Sequence, residues 1–136
     1  MKKISAFIFT VLWFLISMQF QDMASASDKP VKHLTLPDVT SFEEAKKVFM
    51  ETSVELRSKT TLDTDELHEI HITTYSLEKA VAYFVENMKG DKQVEAAKLA
   101  EVVELIHLAS ENDRAEETRV YLEKYANLAK AYAAGF

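Results

Sequence analysis

From Asp38 to its last residue, Phe136, the chain contains no proline and only two glycines, Gly90 and Gly135. A stretch that long without a helix breaker, rich in Ala, Leu, Glu and Lys, suits helices and is the strongest fold signal in the chain. Both prolines, Pro30 and Pro37, lie in the preceding segment SDKPVKHLTLPD. That segment reads as an extended lead-in, because neither proline sits inside a helix without losing a backbone bond.

Helix ends are set by caps and apolar spacing. Ser41 and Glu44 form a capping-box pair, and Phe42, Ala45, Phe49, Thr52 and Leu56 follow at spacings of three and four. This predicts a first helix from Thr40 or Ser41 to near Lys59. Leu67, Ile70, Thr74, Leu77, Val81, Phe84 and Met88 define a second, starting at Asp63 or Thr64 and stopping at Lys89-Gly90, with the glycine as a left-handed terminator. The third carries Ala96, Leu99, Val102, Val103, Ile106 and Ala109 behind Asp91. The fourth follows the turn Ser110–Asp113, with Asp113 and Glu116 as a capping pair, and carries Ala115, Thr118, Leu122, Tyr125, Ala129 and Tyr132 before fraying at Gly135. Each helix is amphipathic, and the short loops force antiparallel neighbours. The expected fold is all-α: an antiparallel up-down-up-down four-helix bundle over residues 40–136, preceded by the lead-in at 27–39.

Residues 1–26 read as a secretory signal peptide. Lys2 and Lys3 precede an apolar run from Ile4 to Met18, and Ala24-Ser25-Ala26 supplies the small residues of a cleavage site. The expected location is the periplasm or the medium outside a Gram-negative envelope, with no stable membrane span after cleavage. The whole chain has a formal net charge of −6, and loss of Lys2, Lys3 and Asp22 leaves it one unit more negative. An acidic domain without a basic stretch repels phosphate, which argues against nucleic acid as a partner. The absence of cysteine excludes disulfides, thiolate metal sites, iron–sulfur clusters and covalent haem attachment.

The chemistry concentrates in the histidines. Antiparallel folding allows heights to be counted from each turn at ~1.5 Å per residue. His71 then falls near the level of His107, with His68 one turn away, Glu51 and Glu55 on the first helix, and Glu116 and Glu117 on the fourth. Angular position places His71 and His107 at the core boundary and turns His68 and Tyr75 toward water. Helix bundles build metal sites from such facing side chains, and imidazole suits copper, zinc or nickel. Glu104-x-x-His107 has the spacing of a di-iron helix, but its only partner motif is Asp65-x-x-His68 on the adjacent helix. There is no zincin motif, no Gly-x-Ser-x-Gly and no glycine-rich phosphate loop, so neither a nucleotide site nor an enzyme is expected. His33 reads as a solvated residue of the lead-in.

The architecture resembles that of cytochrome b562 and cytochrome c′, without their axial ligands: the fourth helix has no histidine, and Met50 and Met88 read as packing residues. The segments LHEIHITTYSLEKAV and VVELIHLASEN resemble those of a family of small exported proteobacterial bundle proteins of unknown function. That resemblance implies no activity, but singles out His71, Tyr75, Glu78, His107, Ser110 and Glu111. The combined expectation is a non-enzymatic binding module with a metal site, copper or zinc, at His71, His107 and His68, supported by Tyr75, Glu78, Glu51, Glu55, Ser110 and Glu111. Its partner would be an envelope protein or a small ligand. The alternatives are a structural or protein-interaction module without metal, whose histidines respond to pH, or a b-type haem or di-metal bundle.

Overall fold

The structure, a computed structural model, describes residues 34–136. The signal-peptide segment, most of the lead-in and His33 lie outside the described residues. Four helices follow in order: α1 Phe42–Ser58, α2 Thr64–Asn87, α3 Asp91–Glu111 and α4 Ala115–Ala133. Each packs on its neighbours in sequence, and α1 closes the ring against α4 through a shorter seam than the others. This is the antiparallel four-helix bundle that the spacing predicts. Among the described residues no helix is long and apolar enough to cross a membrane.

The caps show why the helices begin where they do. Ser41 accepts the Glu44 N–H, and the Glu44 carboxylate reaches back to the Thr40 N–H, one residue earlier than a standard box. Asp63 accepts the Glu66 N–H at the start of α2. Glu66 in turn gathers the loop: one of its oxygens accepts the N–H groups of Thr60, Thr61 and Leu62 at 3.0, 2.8 and 2.8 Å. These bonds hold Leu62, which is buried at a φ of 52° where only glycine sits without strain.

Two expected termini differ. Helix α2 ends at Asn87, with Met88 as an extended C-cap, so Gly90 does not terminate it. Gly90 stands at φ 60° and ψ −139° as the residue from which α3 starts. The Asp113–Glu116 pair does not form. Asp113 has φ 53° and closes α3 instead: its N–H donates to Ser110 O and the next N–H, of Arg114, donates to Ala109 O. That pair of bonds is a Schellman motif with aspartate in the left-handed position, so the α4 cap falls to Arg114, without a side-chain bond.

The core follows the predicted stripes, and every predicted α3 position is buried. At the end of the bundle where α2 turns into α3, Phe49 meets Phe84, Tyr132 and Phe136 at ring separations of 5.3 to 5.8 Å within one connected set. Phe136 closes this cluster from the C-terminus. Truncating the wholly buried Phe49 to alanine would cost about 3–5 kcal/mol.

Residues 34–40 are not helical and pass over the outer face of α2. Asp38 pairs with Lys79, and Leu36, Pro37 and Val39 line a groove with Val48 of α1 and Ser76 of α2. The described end of the lead-in is therefore docked on the bundle.

Candidate functional site

Helix α2 packs against α1 on one flank and α3 on the other, so it buries more than the single apolar arc its spacing predicts. Residues 71, 74, 75 and 78 lie on consecutive turns of the flank toward α3. Across from them stands His107 of α3. The ring centres of His71 and His107 are 4.6 Å apart, and Tyr75 lies 5.2 Å from the first and 5.0 Å from the second. All three side chains are buried: His71 is 4 % exposed, His107 7 % and Tyr75 8 %. The two histidines thus lie inside rather than at a boundary, and Tyr75 does not turn to water. The segment passing over α2 brings the Leu34 backbone beside it, where it favours the ionised phenol and partly offsets burial.

Thr74 organises the site. Its hydroxyl donates to His71 O at 2.6 Å, as a threonine does inside a helix. That uses its only hydrogen, so the oxygen accepts from His107 at 2.9 Å. This arrangement suits a proton on Nδ1 of His107, which puts the lone pair of the neutral ring on Nε2. Glu78 Oε1 lies 3.1 Å from the same Nδ1. This is a close charge contact rather than an aligned hydrogen bond, since Oε1 has no hydrogen-bond partner among the described residues. Burial pushes the Glu78 carboxyl above the usual carboxylate range, and a charged His107 pulls it back. His71 Nε2 lies 3.0 Å from the Tyr75 hydroxyl, and burial raises the Tyr75 pKa, so this phenol is neutral.

The other predicted residues divide. His68 is exposed, with its ring stacked 6.5 Å from that of His71 at the mouth of the site. Glu111 is half-buried and close enough to Tyr75 to oppose its ionisation. Ser110 is buried, but its hydroxyl turns back to Ile106 O and His107 O of its own helix. Two residues are not brought in. Glu51 is exposed and pairs with Lys47 on α1. Glu55 accepts from Thr73 at 2.8 Å, on the flank of α2 facing α1, away from the histidines. Both carboxylates are therefore engaged on other helix faces than the one that carries the histidines. Thr74 is the residue of this cluster that the apolar spacing assigns only to packing. The available signal was a lone hydroxyl in a stripe of Leu, Ile and Val, three residues after a histidine.

Among the described residues no three His, Asp or Glu side chains are arranged to hold a metal ion. The described part of the site is a pair of imidazoles, one held at Nδ1 by Thr74 and Glu78, beside a phenol and a carboxyl of raised pKa. No curated protein and no solved structure matches the chain. The model of one family of unknown function, DUF6746, matches residues 1–134, and with that span the chain belongs to this family.

Proposed function

We propose that this protein is an exported, non-enzymatic binding module whose α2–α3 interface takes a divalent transition metal, copper or zinc, at His71 and His107. The observation that carries the reading is the pair of oxygens beside His107 Nδ1, the Thr74 hydroxyl at 2.9 Å and Glu78 Oε1 at 3.1 Å. Protein ligands to metals usually donate their second ring N–H to an oxygen acceptor, which orients the ring and makes the other nitrogen more basic. Thr74 accepts that proton and Glu78 stands beside it, so His107 would bind through Nε2. His71 supplies the second imidazole, and His68 lies at the mouth for an arriving ion. Two buried protein ligands leave coordination positions open. That suits uptake and release better than a closed structural site. Export rests on the signal-like segment Met1–Ala26.

The test is thermal unfolding with and without Cu²⁺ or Zn²⁺. At a metal concentration about a hundred times Kd, stabilisation of about 2.7 kcal/mol is expected. His71→Ala and His107→Ala should abolish it, and His68→Ala should keep most of it. Identical melting curves for the wild-type protein would eliminate the metal.

The scarcity of carboxylate or histidine ligands among the described residues favours a second reading, an interaction module without metal. In that case the buried polar cluster anchors the segment entering at Leu34, and the histidine variants alter stability equally with and without metal.

A further inference from the structure

The seam between α1 and α4 has a chemical imbalance of its own. Ser53 and Tyr125 meet across it with their hydroxyl oxygens 2.6 Å apart, and they are 6 % and 1 % exposed. Two hydroxyls carry two protons, and their mutual bond uses one. The described residues offer the other no acceptor. A small cavity of about 40 Å³ opens beside this pair, floored by Phe49, Ala129 and Ala133. Arg57 and Lys130 also line it, and neither has an ion-pair partner among the described residues. In a ring of antiparallel helices they approach from opposite directions, about 6 Å and 7.5 Å of helix rise from the hydroxyl pair, within reach of their long side chains. The lining thus combines spare donors and cations with an apolar floor, and the exposed Met50 and Val54 extend that floor outward.

We infer that the α1–α4 seam binds a small monocarboxylate with a short apolar tail. The carboxylate accepts from the spare hydroxyl and from Arg57 and Lys130, and the tail lies along the alanines toward Met50. The volume fits this class, because ~10–15 Å³ of such space holds one water: the seam admits a carboxylate head and leaves the tail in the open groove. A cationic or neutral ligand would leave the donors unanswered.

The probe is hexanoate, added to the leaderless chain and followed through backbone amide resonances. Saturable shifts are expected at residues 49–57 and 125–133. Hexanol, which has the tail without the charge, should bind about tenfold more weakly, as should hexanoate to the R57Q/K130Q double variant. Both cations are exposed, so the double variant keeps its helices, to be checked by circular dichroism. Ala129→Leu fills the floor and should also weaken binding. Hexanol binding as well as hexanoate, shifts centred on α2 and α3, or no saturation would overturn the assignment. So would anionic phosphatidylglycerol vesicles that perturb these amides when hexanoate does not.

Discussion

Thr74 and Glu78 both approach one N–H of His107, and this makes a quantitative prediction. Thr74→Val keeps the shape of a wholly buried side chain and removes its hydroxyl. The direct loss is two hydrogen bonds, to His71 O at 2.6 Å and with His107 Nδ1 at 2.9 Å, about 1 kcal/mol each. The remaining charge contact limits the damage, because Glu78 Oε1, 3.1 Å from Nδ1, can turn to accept the proton. Glu78→Leu alone should change stability by less than about 1 kcal/mol, since it also relieves the burial that raises the carboxyl pKa. Each acceptor can stand in for the other on this N–H, so the double variant loses a compensation that either single keeps, a coupling of about 0.5–3 kcal/mol. The double should therefore lose more than the sum of the singles by that amount. Urea unfolding of the four proteins measures the coupling directly. Additivity within about 0.5 kcal/mol would refute the shared N–H, and with it the tautomer assigned to His107.

Three further outcomes follow from features elsewhere in the bundle. The Tyr132 hydroxyl is buried without a hydrogen-bond partner among the described residues, so Tyr132→Phe should raise stability by about 1 kcal/mol in urea unfolding; a loss would show that the hydroxyl is satisfied. Asp113 holds a left-handed conformation at the end of α3, and Asp113→Gly should stabilise by up to about 1 kcal/mol, read as a higher Tm, whereas a loss would mean that its side chain matters more than its backbone. The backbone N–H of Leu62, with those of Thr61 and Thr60, holds Glu66 below its ordinary pKa, and the Glu66 N–H does the same for Asp63. Groups with a lowered folded pKa contribute stability that is present above their unfolded pKa and lost as the pH falls through the folded one. Stability should therefore decline below about pH 5, and Glu66→Gln should flatten that limb; an unchanged slope would contradict the role of the carboxylate.

The helices were legible in the sequence because their signals are local. Ser41 and Asp63 form the caps their residue types suggest; the apolar stripe of α3 buries every residue it names, and that of α1 all but the half-buried Phe42. The misreadings occur where one residue had two uses. Asp113 has the side chain of a cap for α4, but its backbone closes α3. Gly90 has the freedom to end α2, but Met88 ends it first.

The site was legible in height and only partly in direction. Counting residues from each turn put His71 and His107 at one level, and they meet there. The same counting recruited Glu51 and Glu55, which face other ways, because a level says nothing of the helix face. Tyr75 was turned toward water by a wheel with one apolar arc. That wheel does not include a second packed flank or a strap of chain at Leu34.

The central claim is that α2 and α3 bring His71 and His107 into contact in a buried cluster before any ligand arrives. Nuclear Overhauser spectra of the metal-free protein test it most directly. Cross-peaks between the ring protons of His71 and His107, and from both rings to Tyr75, are the predicted result. If His71 shows cross-peaks to His68 but none to His107, the imidazole pair does not exist and the binding site proposed on it falls.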